Sequence, residues 1–475
     1  IAGDILIKVP DSLELITPYV LREQEKWFED EIGFVRQVLQ RGARVIDVGA
    51  NYGVYTLLMA KAVGDQGQVW AFEPATSTVR CLQDSVSLNR FKNVTVIHAA
   101  LSDRMGKAHL RLDRNSELNS LISKEGALSE EVRLTTLDCS MSEFELKKIE
   151  FLKLDAEGEE KNILTGGREL LLAESPLIMF ELKHGNAVNV GLISRFAELG
   201  YSTYRLIPGL NLLAPFGHDD SPDPFLLNLF CCKDDRAVEL ENAGWLVRQS
   251  QGPDVMEREG YDTWENALYS LPFAQRLREQ WQRLPKQGDE TYLKAIELYF
   301  LAHADSRTSY QRYHALQASF NRLKQISGTG QKLTYLSTFA RIAAEMGYRA
   351  IAVETVVKQW EILSKTRHAP LDEPFLPVCS RFDHLDPGNR PIDWFLGSLL
   401  EAYETRHALS SYYTGQSSLG DLEVIKGLGF QSPEMERRRQ LIRMRYGMQL
   451  RPSSSSLLSK KMESNLNPEF WSAVD

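Results

Sequence analysis

From Arg44 to about Lys233, short β-branched apolar runs alternate with longer segments of 3.6-residue periodicity, the pattern of strands that cross over through helices into a parallel sheet. Seven runs read as strands: Val45–Val48, Gln68–Phe72, Val94–Ala99, Phe151–Leu154, Leu177–Phe180, Tyr201–Leu206 and Phe225–Cys232. Between the third and fourth, Lys107–Leu112 and Val132–Leu137 read as an extra hairpin or loop insertion. The loop Pro208–Pro224 has four prolines and no helical pattern, so the last strand is expected to return antiparallel at the sheet edge. The expected fold class is α/β, a doubly wound, seven-stranded, mostly parallel, Rossmann-like sheet followed by a mainly α-helical C-terminal domain.

After about Asp235 strand patterns vanish and helical periodicity takes over. Tyr292–His303 with Tyr310–Ile326, and Leu333–Met346 with Arg349–Leu363, read as two helix pairs. A proline-rich connector, Ala369–Pro391, precedes a further helix at Ile392–Ala408. These patterns divide the chain into four parts. Residues 1–236 are a helical lead-in plus the sheet domain, and 237–290 a linker or peripheral helices. Residues 291–451 are a helical domain, one reading of which is a tetratricopeptide-like array. Residues 452–475, opening on Ser453–Ser456, are a flexible tail.

Composition removes several classes. The 8 Trp, 17 Tyr and 20 Phe among 475 residues need a core, which excludes general disorder. Five cysteines without CxxC spacing are too few for a disulfide scaffold or a zinc site, and fit reduced thiols in a cytoplasmic protein. A net charge of −9 argues against a nucleic-acid partner. No apolar run approaches the roughly 18 residues of a membrane span. The chain begins at Ile1 without Met, the pattern of a trimmed beginning. Arg437–Arg445 is locally basic, but Glu434 and Glu436 precede it, so a solvated helix face is expected.

The chemistry concentrates where strands end. Val45–Val48 runs into Gly49-Ala50-Asn51-Tyr52-Gly53 and then a helix, and glycines there let backbone amides approach a ligand. The spacing is Asp-x-Gly-x-Asn-x-Gly, not the GxGxxG of a dinucleotide site, which counts against an NAD-linked oxidoreductase. An anionic Asp47 repels a pyrophosphate but suits the ammonium and sulfonium charges of S-adenosylmethionine. Glu73, ending the next strand before Pro74, is placed to accept hydrogen bonds from ribose hydroxyls. The fourth strand ends in Asp155-Ala156-Glu157, where a carboxylate could hold the methionine amine, act as general base or ligate a divalent ion. Glu159 and Glu160 read as acids of the next helix's first turn. The fifth strand adds Glu181 and His184, the histidine a second candidate base.

In these residues the chain resembles the FkbM-type methyltransferase family of class I S-adenosylmethionine-dependent enzymes. The matching motifs are DVGANYGVYT (Asp47–Thr56), AFEP (Ala71–Pro74), AALSD (Ala99–Asp103), TTLD (Thr135–Asp138), LKLDAEGEE (Leu152–Glu160) and FELKH (Phe180–His184). The resemblance implies that Asp47, Gly49, Asn51, Gly53 and Thr56 surround the methionine portion of the cofactor and Glu73 the ribose, with Ala50 and Pro74 also among the cofactor-binding residues. It also implies that Ser102 and Asp103 lie by the adenine, while Asp155 and Glu157 face the transferred methyl. The adenine amine has no acid where many class I enzymes carry one, because Ala99-Ala100 occupies that place.

The reading that follows is an O-methyltransferase acting on a hydroxyl of a sugar, glycan or polyketide-like small molecule, with Asp155, Glu157, Glu181 and His184 as catalytic candidates. A divalent metal is compatible with these acids but not expected. The alternative is a glycan-assembly scaffold whose helical half recruits a protein partner. N-methylation stays open, although no Asn-Pro-Pro-Tyr-type motif is present.

Overall fold

A computed structural model describes residues 1, 4–122, 128–184, 187–189, 191–217, 220–249, 264–283, 289–327, 332–366 and 369–449. The tail expected at 452–475, and residues 250–263 and 284–288 of the linker expected at 237–290, lie outside these residues.

The strands, in chain order, are β1 (Arg44–Val48), β2 (Gln68–Glu73), β3 (Val94–His98), β4 (Ala100–Leu101), β5 (Gly106–Arg111), β6 (Ser120–Ile122) and β7 (Ser129–Thr135). They continue with β8 (Ile149–Leu154), β9 (Leu177–Glu181), β10 (Lys183–His184), β11 (Ala187–Val188), β12 (Ser202–Ile207), β13 (Leu212–Pro215) and β14 (Asn228–Cys232). The main sheet has eight strands in the order β13-β12-β14-β9-β8-β1-β2-β3. β1 and β8 sit at its centre and are buried almost throughout. That placement explains their continuous apolar runs, since both faces are covered. The order reverses beside β1, so its carboxyl end opens onto a crevice.

Two expectations about the sheet need correction. The sheet has eight strands, not seven, because Leu212-Leu213-Ala214 pairs antiparallel with β12 inside the segment expected to be a loop. Prolines bracket this short strand, and Asn211 makes the turn with φ of +51°. β14 is antiparallel as expected, but it inserts between β9 and β12, which leaves β13 at the edge. The expected hairpin is present as β5 and β7, widened by β4 and β6 into a separate four-stranded sheet.

Helices flank the sheet at Val54–Val63 and Thr76–Leu88, and two lead-in helices, Ile16–Gln24 and Glu31–Val38, precede it. In the second half the helices Glu290–Ala302, Ser309–Ser327, Leu333–Glu345, Arg349–Thr366 and Pro391–Arg406 match the periodic segments closely. Their core is continuous with the sheet edge. Ile207, Leu210, Leu212 and Ala214 belong to the same buried cluster as Phe339, Ala343 and Trp394.

The chain's last described helix, Pro433–Arg445, returns to the first, and here the solvated-face expectation fails. Arg437, Arg438 and Arg439 are buried, Arg438 to 1% exposure. Arg438 pairs with Glu434 at 3.0 Å and with Glu23 of the lead-in helix at 3.5 Å, while Arg439 pairs with Glu436 at 2.8 Å. Carboxylates from both ends of the chain supply the counter-charge that makes this burial tolerable. All five cysteines are free, and no described helix is long and apolar enough to cross a membrane.

Candidate active site

β1 delivers the chain at Val48 to a turn that only certain backbones can make. Gly49 has φ of +72°, and a Cβ there would lie 1.7 Å from the carbonyl oxygen of Asp155. The turn therefore packs directly against the end of β8, which a side chain would forbid. Asn51 follows at φ of +50° and Gly53 at +93°, where the helix Val54–Val63 begins. The Asn51 carboxamide oxygen accepts from Tyr52 N at 2.8 Å and from the Ser116 hydroxyl at 2.9 Å, tying the turn to the small sheet's excursion.

Glu73 clamps this turn to the next one. Its two carboxylate oxygens accept from Asn51 N and Ala75 N, each at 2.9 Å. Burial pushes its pKa up to about 7, against the pull of these two amide hydrogen bonds.

Asp47 is fully buried beneath the turn. Its Oδ2 accepts from the Thr56 hydroxyl at 2.5 Å, and its Oδ1 has no hydrogen-bond partner among the described residues. The nearest cation is Lys153, whose Nζ lies 3.9 Å from that oxygen and donates to Asp155 Oδ2 at 2.7 Å. Burial acts against the Lys153 charge, but Asp155 and Asp47 outweigh it and hold the ammonium's pKa above its ordinary value. Lys153 also sits 5.1 Å from the centre of the Tyr55 ring, and Tyr55 donates its hydroxyl to Glu29 at 2.5 Å.

Beyond Asp155 the chain turns through Glu157 at φ of +48° and Gly158 at +100°. Glu160 secures this turn, its Oε1 accepting from Ala156 N at 3.1 Å and Gly158 N at 3.2 Å. Glu159 accepts from Ser102 and Asn162, so both acids serve the helix start. Carboxylate oxygens of Asp155, Glu157 and Glu181 all lie within 4.8 Å of one another. Burial first, then the neighbouring acids, raise Glu157 to about 8 and Glu181 well above the carboxylate range. Oxygen donors so grouped are of the type that holds a hard divalent cation.

These residues border a cavity of about 300 Å³ at the carboxyl ends of the strands, the lower end of the range for small-ligand sites. Of the sequence-predicted residues, Gly49, Ala50, Asn51, Glu73, Pro74, Asp155, Glu157 and Glu181 line it. Asp47, Gly53 and Thr56 are not among its lining residues. Ser102 and Asp103 are not among its lining residues, and Ser102 instead binds Glu159 at 3.0 Å. His184 pairs with Ala187 in the β10–β11 hairpin, and its side chain lies outside the described part. Sequence reasoning missed Lys153, though a lysine flanked by apolar residues in a central strand is a readable signal. It also missed Trp27, Phe28 and Glu29 of the lead-in, Glu117 of the excursion, and Leu409 and Tyr413 of the helical half, which all line the cavity.

The reversed strand order and its carboxyl-end cavity define a Rossmann-like cofactor-binding domain. Residues 47–203 match the model of the methyltransferase FkbM domain, and this part of the chain is such a domain. No curated protein matches the sequence. Among solved structures, an FkbM methyltransferase from Methylobacillus flagellatus KT is similar at 15% identity and a TM-score of 0.29 over 41% of this chain, which spans 45% of that one. A SAM-dependent methyltransferase from Aquifex aeolicus has 14% identity and a TM-score of 0.27, over 45% of this chain and 92% of that one. A SAM-dependent O-methyltransferase from Thermotoga maritima has 14% identity and a TM-score of 0.26, over 50% and 73% respectively.

S-adenosylmethionine is the cofactor of this class of domain, and the donor set suits it. The carboxylates of Asp155 and Glu73 and the apolar side chains of Ala99, Ala100 and Leu101 line the same cavity, a mixed polar and apolar surface of the kind such a cofactor needs.

Proposed function

We propose that this chain transfers a methyl group from S-adenosylmethionine to a hydroxyl oxygen of a sugar, glycan or polyketide-like small molecule. The observation that carries this reading is Asp155. It directly follows the central strand β8, sits against the Gly49 turn, borders the cavity beside Glu157 and Glu181, and is held by Lys153 at 2.7 Å. When bound, S-adenosylmethionine supplies an electrophilic methyl for in-line displacement. The protein's part is alignment and removal of the hydroxyl proton. Lys153 fixes Asp155 Oδ2, leaving Oδ1 as the oxygen that takes a proton from an acceptor hydroxyl. Glu157, with a pKa of about 8, is poised to exchange a proton with the same acceptor near neutral pH. Trp27 and Phe28, stacked with centroids 4.3 Å apart, border the cavity and bring apolar ring surface to it.

Two measurements test this reading. Calorimetry with S-adenosylhomocysteine is expected to show saturable binding; none at about 1 mM removes the enzyme reading. Asp155→Asn is expected to abolish transfer of labelled methyl to a panel of hydroxylated acceptors while leaving that binding within a few-fold. Retained turnover in Asp155→Asn sinks its assignment as the base.

A further inference from the structure

A second cavity, of about 1570 Å³, lies between the β12–β13 edge and the helical half. It adjoins the first: Trp27, Phe28, Glu29, Val54, Leu227 and Leu409 border both. A molecule far larger than the methyl-accepting end alone therefore has room beside the site.

Three partly buried arginines of this cleft differ from their neighbours. Arg341, Arg381 and Arg438, which line the same cleft, each have a carboxylate, in Asp383, Glu401 and Glu434. Arg205, Arg349 and Arg406 have none at ion-pair distance among the described residues. Arg205 donates to the Met346 carbonyl at 2.5 Å and to the Tyr348 hydroxyl at 3.2 Å. Arg349 donates through Nε to the Arg406 carbonyl at 2.7 Å and through Nη2 to those of Thr405 and Ala408 at 3.2 and 2.9 Å. Arg406 donates to the Val378 carbonyl at 3.2 Å. Every acceptor is neutral.

The cleft's acids are mostly committed elsewhere. Asp223 accepts from Ala350 N and Phe225 N, each at 2.9 Å, and Glu345 is held by Arg341 and His303. Asp30, at the exposed rim, is the carboxylate whose field reaches both Arg349 and Arg406. Burial depresses the Arg349 pKa to about 10 and also lowers that of Arg406, the signature of cations desolvated without full compensation. A fold that desolvates guanidinium groups against neutral acceptors, with no carboxylate at ion-pair distance, has left a place for a solute oxyanion, which guanidinium forks bind well.

We propose that the acceptor carries an oxyanion, a phosphate or carboxylate substituent on the sugar or small molecule, held by Arg205, Arg349 and Arg406 while its hydroxyl end passes Trp27 and Phe28 to reach Asp155. This rests on the methyl-transfer reading above. The helical half is then the acceptor-binding half of the enzyme.

The test is calorimetry on the full chain saturated with S-adenosylhomocysteine, with inorganic pyrophosphate and glucuronate as separate probes. One probe is expected to bind saturably and more weakly as salt rises, and which one binds identifies phosphate or carboxylate. Arg205→Gln and Arg406→Gln are each expected to weaken that binding about tenfold with S-adenosylhomocysteine affinity unchanged, and Arg406→Lys to restore part of the loss. Arg349 is left intact because it holds three backbone carbonyls at once, where Arg205 and Arg406 each hold one. No binding of either probe below about 10 mM, or wild-type binding in both glutamine variants, overturns the arginine site. Probe binding in a chain that fails to bind S-adenosylhomocysteine overturns the acceptor role and, separately, the methyl-transfer reading.

Discussion

Lys153 holds Asp155 at 2.7 Å while standing 3.9 Å from the unpartnered oxygen of Asp47, so one buried ammonium serves both carboxylates. Removing it leaves Asp47 fully buried and without a cation. Lys153→Met is therefore expected to cost about 3–5 kcal/mol, the penalty for breaking a buried pair from one side. Urea unfolding checks this, and a loss under about 1 kcal/mol would mean that Asp47 is neutral in the folded chain.

Gly49 sets the distance between the turn and β8. Gly49→Ala would push the added methyl into the Asp155 carbonyl, so the turn must swing away from the cavity. S-adenosylhomocysteine affinity is expected to fall at least about tenfold, with far-UV circular dichroism retained. Gly33, inside the helix Glu31–Val38 and facing open space, provides the contrast. Gly33→Ala is expected to stabilise by about 0.5–1 kcal/mol and leave affinity alone.

Much of this was legible in the sequence, for a physical reason. The Gly49 turn, Glu73 and Asp155 are local devices whose spacing follows from strand and helix lengths, and the periodic helices of the second half announce themselves in the same way. What was not legible depends on distant partners. Leu409 and Tyr413 reach the cavity only because the last helices fold back on the lead-in, and nothing near them in sequence says so. Arg438 looked solvated because only its local partner, Glu434, stands near it in sequence, while Glu23, the second carboxylate it meets once buried, lies at the opposite end of the chain in the lead-in helix.

That pairing makes its own prediction. Glu23 is fully buried and accepts from Ser411 as well as facing Arg438. Arg438→Met leaves this carboxylate uncompensated and is expected to lower stability by about 3–5 kcal/mol. If denaturant unfolding shows no loss, the two chain ends are not locked by charge.

The pH dependence follows from Glu157, whose pKa is raised from 4.5 to about 8. A carboxyl with a raised folded-state pKa binds its proton more tightly when folded, so its contribution is present at low pH and is lost as pH rises from about 4.5 through 8. Glu157→Gln removes that loss. In the ligand-free chain the variant's melting temperature is expected to gain on wild type steadily between about pH 5 and pH 8. A constant difference across that range would count against the burial of Glu157.

The buried cluster shared by Ile207, Leu212 and Ala214 with Phe339, Ala343 and Trp394 has a consequence for how such an enzyme can be divided. A helical segment joined by a linker alone could be trimmed away or exchanged between proteins as a cassette. Here cutting the chain after the sheet would strip water-excluding cover from β12 and β13 and leave an apolar edge open to pairing with another molecule. The sheet edge and the helices share one buried core, so a substitution in the cleft between them also bears on residues that cover β12 and β13.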